Sequence, residues 1–298
     1  SHVLLREVAN AEIGITRQRL LHRRIAETVQ RRSDGAGLAA LHFEKAGVGE
    51  TAAQCYLQAA QRAWSLFAVE PTLHNLDQAL KIATEHLSTG FAIHALREEV
   101  FHTLGRRSEQ EAEIAALLHL VEDDSPNQEM IANYRHGRYL FARNRWHEAE
   151  MALRQAQQRQ SEVPDHSLGL TITLLLGRTQ AQQQRYEEAV ATLQSALGEA
   201  QRHRQRTGQI DSLIALADVE QAREKLIETE RYLQEARSLG PRYDSATQAR
   251  LAYLLGRLAF VRSRYGEALT YGQQAKENHE KIANREGVAS ALLLLAAT

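Results

Sequence analysis

Two short segments of this chain contain residues that could take part in catalysis or cofactor binding. His147-Glu148-Ala149-Glu150-Met151 begins like a zinc-binding helix, in which two histidines four residues apart hold the metal and the glutamate acts as a base. Position 151 is methionine, so the second ligand is missing. Gly47-Val48-Gly49-Glu50-Thr51 superficially suggests a phosphate-binding loop, but it lacks the lysine and a preceding strand. Neither segment predicts a site.

The remaining reactive side chains also lack partners along the sequence. Cys55 is the only cysteine, which excludes a disulfide framework and a thiolate zinc site. Its neighbours Ala52, Ala53, Tyr56 and Ala59 favour a small buried core residue over a nucleophile. The 13 histidines show no ligand spacing, and no G-x-S-x-G nucleophile elbow occurs. We therefore predict no catalytic residue, no metal site and no cofactor, and a protein that is not an enzyme.

The charge balance argues against a nucleic-acid-binding surface. The formal net charge is -1, whereas such surfaces usually have a strong basic excess. The most basic run, Arg202-His203-Arg204 with Arg206, could contact nucleic acid, but we favour a solvated helix end, where cations interact favourably with the helix dipole. A second basic group, within Arg19 to Arg24, has two open interpretations: a solvated face, or a face toward another domain.

A repeat of about 40 residues determines which elements must position these side chains. A small residue is followed by an aromatic residue or leucine nine positions later, a small residue three later, and an alanine seven after that. The four columns are Gly137, Gly177, Ala217 and Gly256; Trp146, Tyr186, Leu226 and Tyr265; Ala149, Ala189, Thr229 and Ala268; and Ala156, Ala196, Ala236 and Ala275. A fixed period of this length is typical of a solenoid.

Each repeat predicts two helices joined by a short turn. Apolar residues between Leu170 and Gln184 fall on one helical face, Gln183-Gln184-Arg185 form a polar turn, and Tyr186 begins the partner helix. The glutamates at 187 and 188 lie in its first turn, where the helix dipole favours them. The small residue of the first column marks a close crossing of the two helices, and the aromatic residue of the second column should wedge between them.

These patterns resemble the tetratricopeptide repeat, whose consensus runs W-x2-L-G-x2-Y and then an alanine. The matching segments are Tyr134-x2-Gly137, Leu176-Gly177 and Leu255-Gly256 in first helices, and Arg145 to Ala149, Arg185 to Ala189 and Arg264 to Ala268 in second helices. The resemblance implies an all-α fold, a right-handed superhelix of stacked helix pairs. The period near 40, rather than 34, implies longer helices or longer loops between units.

In that repeat type, first-helix positions six and three before the small residue, and one and four after it, line a concave groove. From the residues at these positions we select as candidate binding residues Tyr134, Arg138, Phe141, Arg178, Asp218, Arg250, Tyr253, Arg257 and Phe260. Arginine and tyrosine are favoured anchors at interfaces, which indicates an acidic or carboxylate-bearing partner. The alternative is that the arginines are simply solvated while Tyr134 and Tyr253 pack between units.

The N-terminal segment carries a second resemblance, to the junction that follows the ATPase module of bacterial STAND regulators such as the large LuxR-type activators. It rests on Ser1 to Val8, Arg17 to Glu27 and Leu38 to Gly47. The resemblance implies a layout of ATPase, tetratricopeptide superhelix and often a separate DNA-binding domain. It also implies that the ATPase itself is missing from this chain.

We expect three segments in this layout. Residues 1–30 would hold the end of the winged-helix and ATPase junction and a first helix, residues 31–125 degenerate helical repeats, and residues 126–298 tetratricopeptide-like repeats with the last one truncated. By the 40-residue count, Ala289 to Ala297 would be a first helix without its partner. Only one face of its four leucines could then pack, so we expect exposed apolar surface there, and either fraying of the segment or an end-to-end contact with a second copy.

The function predicted from these features is non-catalytic. The chain would be the sensor and protein-interaction segment of a multidomain signal-transduction ATPase that regulates transcription; the alternative is a self-standing peptide-binding scaffold or adaptor. Expected partners are a protein, peptide or small effector in the groove and the missing ATPase domain. No apolar run reaches the ~18 residues of a membrane span, and the single cysteine fits a reducing, cytoplasmic setting.

Overall fold

A computed structural model describes residues 14–298, except residues 33, 84–86, 123, 164, 240–244 and 283. The described residues form fifteen helices and no strand. The helices are α1 (Ile15–Val29), α2 (Ala36–Ala46), α3 (Gly49–Ser65), α4 (Val69–Ile82), α5 (Leu87–Leu104), α6 (Arg107–Leu120), α7 (Pro126–Ala142), α8 (Trp146–Gln158), α9 (His166–Gln182), α10 (Tyr186–Arg202), α11 (Arg206–Ala222), α12 (Leu226–Ser238), α13 (Ser245–Val261), α14 (Tyr265–Lys281) and α15 (Arg285–Ala297). The all-α prediction is confirmed. The motif at Ser1 to Val8 lies outside the described residues.

The chain divides into two compact units, Ser1–Arg135 and His136–Thr298, with α7 crossing the division. In the first unit each helix from α1 to α5 packs on the helix that follows it in sequence. Its core combines alanines with a few large side chains such as Phe43, Tyr56 and Leu76. Gly47 ends α2 in the left-handed conformation (φ 77°), as expected of a glycine stop.

The second unit contains the repeated helix pairs. The pairs α9 with α10, α11 with α12 and α13 with α14 each pack together, and each second helix also contacts the next first helix. The first helices α9, α11, α13 and α15 also contact one another in that order. We call the surface that they share the first-helix face. Helices α8, α10, α12 and α14 all begin at a residue of the aromatic-or-leucine column, as the period predicts.

The small-residue column lies at close helix crossings, as predicted. A Cβ atom added at Gly177 would lie 2.7 Å from Cγ of Leu193 on the partner helix, and one added at Gly137 would lie 2.7 Å from Cγ of Leu153. Ala217 is wholly buried at the equivalent position. A larger side chain at these positions would therefore have to push the two helices apart.

In the last repeat, leucines of the following helix take the place of the leucine that packs against the small residue in the other repeats. Position 272, which corresponds to Leu153 and Leu193, is a glycine, and an added Cβ there would lie 2.8 Å from Cδ2 of Leu295. Leu294 fills the equivalent space at Gly256. Helix α15 therefore supplies the apolar groups that α14 lacks.

Only one face of α15 packs, as expected from its four consecutive leucines. Leu294 is buried and Leu295 half-buried, whereas Leu292 and Leu293 are 47% and 73% exposed. Association of this surface with a second copy stays a prediction.

The expected position of Tyr265 is wrong. Its side chain does not wedge between α13 and α14; the residue is 49% exposed and lies edge-on to Phe260, with ring centroids 5.9 Å apart.

A further column of polar residues, which the repeat pattern did not reveal, forms hydrogen bonds between each repeat and the one before it. Gln183, Arg223 and Arg262 occupy equivalent positions just after their first helices. Gln183 Nε2 donates to the Trp146 carbonyl at 3.3 Å, and Arg262 Nη2 donates to the equivalent carbonyl of Leu226 at 3.3 Å. Arg223 Nη2 instead donates to Glu187 Oε1 at 3.0 Å. The positions repeat every 39 or 40 residues, and each side chain reaches the preceding repeat because the helix stacking repeats.

Candidate functional site

The nine residues predicted to line a groove all lie on first helices. Tyr134, Arg138 and Phe141 are on α7, Arg178 on α9, Asp218 on α11, and Arg250, Tyr253, Arg257 and Phe260 on α13. Asp218 is exposed and the other eight are half-buried. The helical period therefore placed them at the surface, and packing against neighbours covers part of each side chain.

Two of the arginines form ion pairs with the preceding repeat. Arg250 Nη1 lies 3.8 Å from Asp211 Oδ1, and Arg257 Nη1 lies 3.5 Å from Asp218 Oδ1. Both aspartates are on α11 and both arginines on α13, seven residues apart in each helix, so the pairs lie two turns apart along the same face. Partly exposed pairs of this kind contribute little to stability, so a ligand carboxylate could replace the aspartate as the arginine's partner.

A pocket of about 180 Å³ opens among α11, α13, α14 and α15. It is lined by Asp218, Arg250, Tyr253, Leu254, His279, Gly287 and Ser290. Three of these, Asp218, Arg250 and Tyr253, belong to the predicted groove set. The structure thus brings together part of the predicted set and adds residues from α14 and α15 that the groove pattern could not identify.

His279 is the buried polar group of this pocket. The residue is only 6% exposed, and burial lowers the pKa of the imidazole, which favours the neutral ring. The ring packs against Gly287, where any added Cβ would overlap Nδ1. That nitrogen is buried and has no hydrogen-bond partner among the described residues. Gly287 is therefore required for the ring to occupy its place.

The size and lining of the pocket limit what it could hold. Pockets for drug-sized ligands usually exceed about 300 Å³, so this one fits a single side chain or a chain terminus. Leu254 and the Tyr253 ring supply apolar contact, while Arg250, Asp218 and Ser290 supply polar groups. This combination suits recognition of one residue of a longer ligand that runs along the first-helix face.

The other predicted residues lie outside this pocket. Arg257 is close to the Tyr253 ring, with its guanidinium carbon 5.7 Å from the ring centroid, and so supports the pocket wall from the next turn. Phe260 packs on Tyr265 instead. Arg138 and Arg178 lie on α7 and α9, away from the lining residues, so the arginine column does not converge on one point.

The structure also locates the reactive side chains considered from sequence. Cys55 is wholly buried, as predicted, and burial raises the pKa of its thiol, which disfavours the nucleophilic thiolate. One group of histidines that has no ligand spacing in the sequence comes together in space. His166, Glu199 and His203 place their possible ligand atoms within 4.8 Å of one another. The 37-residue gap between the two histidines concealed this cluster.

Comparisons with known proteins agree with this architecture. Residues 128–198 match the family described as tetratricopeptide repeat. No curated protein matches the chain significantly. Among the described helices, none combines the length and the apolar character that crossing a membrane requires.

Several solved structures share the fold at low sequence identity. PilF of Pseudomonas aeruginosa is 20% identical with a TM-score of 0.57, covering 84% of this chain and 99% of that one. The apo form of RapI is 12% identical with a TM-score of 0.63, covering 82% and 95%. The Rap conjugation gene regulator of plasmid pLS20, solved in complex with the Phr* peptide, is 13% identical with a TM-score of 0.62, covering 83% and 79%. These similarities identify a tetratricopeptide-like helical solenoid.

Proposed function

We propose that this chain is a non-catalytic scaffold that binds a peptide or an extended protein segment along its first-helix face. One ligand residue would enter the pocket formed by Arg250, Tyr253, His279 and Ser290. The observation that carries this proposal is the convergence of three predicted groove residues with a buried imidazole in one cavity. The pLS20 regulator, which has the same fold, was solved with a bound peptide, and this supports the ligand class.

The ion pairs of the face provide a way for the ligand to be recognised. A carboxylate of the ligand would take the place of Asp211 beside Arg250, because that pair is long, 3.8 Å, and partly exposed. An arginine can bind such a carboxylate through two parallel hydrogen bonds. The Tyr253 ring would cover the apolar part of the same ligand residue.

Peptide selection provides the test. Peptides selected by display on the immobilised chain would be measured by fluorescence anisotropy against variants of the pocket. Tyr253→Ala and Ser290→Phe, which remove a wall and fill the cavity, should each weaken binding at least about tenfold, as expected for an interface hot spot. Arg202→Glu is the matched control, since Arg202 is exposed on the second helix α10.

Circular dichroism would verify that each variant folds. Peptides that bind the Ser290→Phe variant as tightly as the unmodified chain would contradict the pocket. Peptides whose binding depends on Arg202 rather than Tyr253 would place the site elsewhere.

We also propose a context for the scaffold, as the sensor segment of a STAND-type regulator. Helix α1 carries the motif Arg17 to Glu27, and it buries Ala26 while leaving Leu20, Leu21 and Ile25 exposed. Such a helix surface would suit packing against an ATPase module, whereas a self-standing adaptor would use only the first-helix face. The coding sequence on both sides would separate these alternatives, since a regulator requires a Walker lysine encoded in the same reading frame.

A further inference from the structure

A cluster of two histidines and one glutamate lies at the open end of the hairpin formed by α9 and α10, opposite its turn at residues 183–185. His166 is the first residue of α9, and His203 directly follows α10. The two imidazole rings stack with centroids 4.0 Å apart and planes inclined by 21°. With Glu199, their possible ligand atoms all lie within 4.8 Å of one another.

The helical hairpin explains why these residues meet. Glu199 and His203 are four residues apart at the end of α10, so they lie on the same helical face. Packing of α9 on α10 brings the first turn of α9 beside the last turn of α10. Asp165 fixes the start of α9, because its Oδ1 accepts the backbone N–H groups of Ser167 and Leu168 at 3.0 and 3.1 Å.

The glutamate is held in place by the preceding repeat. Gln160 Nε2 donates to Glu199 Oε1 at 3.1 Å. The amide of Gln160 lies directly against Gly169, one turn after His166, where any added Cβ would overlap it. The glycine thus admits the side chain that orients the carboxylate. Outer-shell hydrogen bonds of this kind orient the ligands of metal sites.

The donor set determines which ligand would bind here. Two imidazoles and one carboxylate suit divalent ions such as Zn²⁺, Ni²⁺ and Cu²⁺, whereas Ca²⁺ and Mg²⁺ prefer all-oxygen sites. The negative pole at the end of α10 and the positive pole at the start of α9 both lie here, so the two helix dipoles largely cancel. Arg202, Arg204 and Arg206 oppose a cation, but all three are exposed, so solvent and salt screen their charges.

We propose that His166, Glu199 and His203 bind one divalent transition-metal ion, with Zn²⁺ as the probe, and that solvent completes the coordination. The ion would fasten the open end of the hairpin by closing a loop from His166 to His203, which restricts the unfolded chain. This site is separate from the pocket on the first-helix face, so it stands or falls independently of the peptide-binding proposal.

Calorimetric titration of the 298-residue chain with ZnCl₂ in a buffer without chelators tests the site. We expect one Zn²⁺ per chain and a rise in melting temperature on binding. His166→Ala and His203→Ala should each lower the affinity at least about tenfold, since loss of even an outer-shell partner typically costs 10- to 100-fold. Gln160→Ala, which removes only the orienting hydrogen bond, should produce a smaller loss.

His147→Ala is the matched control, because His147 is an exposed helical histidine of the same unit outside the cluster. Binding that survives His166→Ala would overturn the proposal, as would an equal loss in His147→Ala. A stoichiometry of one ion to two chains, with dimers in light scattering, would show that the histidines of two copies share the ion and would also overturn it. The proposal would also be overturned if 100 µM Zn²⁺ gave no calorimetric signal and no change in melting temperature. That concentration is roughly tenfold above the dissociation constant of a weak site, about 10 µM, so a real site would be occupied.

Discussion

The two units of this chain stabilise their helices in different ways. The second unit uses one set of contacts again and again: a small residue against a leucine, and a polar side chain that reaches back to the previous repeat. The first unit instead contains polar networks that occur once. Glu98 is wholly buried, accepts a hydrogen bond from Gln110 Nε2 at 2.6 Å and pairs with Arg135.

A second network in the first unit has the same character. Glu113 accepts hydrogen bonds from Arg97 Nε at 2.8 Å and pairs with His94 Nδ1 at 2.6 Å. Pairs of this kind fix a particular arrangement of helices, because the buried carboxylate would be a costly charge without its partners.

Buried carboxylates are paired in the second unit too, where Glu150 binds Arg154 and Arg185 and Glu220 binds Arg223. The difference between the units is therefore the repeated small-residue crossing, which the second unit adds to its charge pairs.

The largest expected effect is the loss of the buried carboxylate in the first unit. Glu98→Ala takes from Arg135 and Gln110 the buried partner that they share and leaves Arg135 only the more exposed Glu99, so it should lower the free energy of unfolding by about 3 kcal/mol. Glu230→Ala is the counterpart in the second unit, where the pair with Arg262 is partly exposed, and should cost about 0–1 kcal/mol. Urea denaturation measures both, and equal losses would show that burial does not set the contribution of these carboxylates to stability.

The next largest effect tests the close helix crossings of the second unit. Gly177→Leu should destabilise by about 1–3 kcal/mol, because the new side chain must displace the fully buried Leu193. Gly198→Ala is the control, since nothing lies within 4 Å of an added Cβ on α10; there the gain in helix propensity should stabilise by about 0.5–1 kcal/mol. An unchanged melting temperature for Gly177→Leu would count against a close crossing.

The smallest effect concerns a hydrogen bond between α2 and α3 and depends on pH. Tyr56 OH donates to Glu44 Oε2 at 2.8 Å. The pKa of Tyr56 is raised from 10 to about 12, mainly because the ring is buried and secondly because of this hydrogen bond. The folded chain therefore holds this proton more tightly than the unfolded chain does. Its contribution is fully present below about pH 10 and is lost as the pH rises toward 12.

Tyr56→Phe removes both the hydrogen bond and the titration. We expect a loss of about 1 kcal/mol at neutral pH and a flatter decline of stability between pH 10 and 12 than in the unmodified chain. Denaturation series at several alkaline pH values measure the slope. A variant whose alkaline decline matches that of the unmodified chain would show that Tyr56 does not control it.

The sequence by itself determined the repeated architecture of this protein. The small-residue column located the helix crossings at Gly137 and Gly177, and the aromatic-or-leucine column located the start of each second helix from Trp146 onward. These features were predictable because each depends on a fixed spacing within one hairpin, and a solenoid uses the same hairpin in every repeat.

The candidate site was only partly predictable. The period placed Arg250 and Tyr253 on the first-helix face, but it could not show that Arg250 faces Asp211 of the preceding repeat. Nor could it show that His279 completes a pocket with them, since that residue comes from the end of a second helix. The pairing depends on which residues of two stacked helices come opposite each other.

Tertiary structure alone decided the contacts that join residues far apart in sequence. Leu295 fills the space left by Gly272, and His203 stacks on His166 across 37 residues. Sequence spacing determines the face of a helix on which a side chain lies, because the helical period is fixed. The neighbour that the side chain meets depends on the packing of the next helix, and packing is set by all the side chains of both helices together.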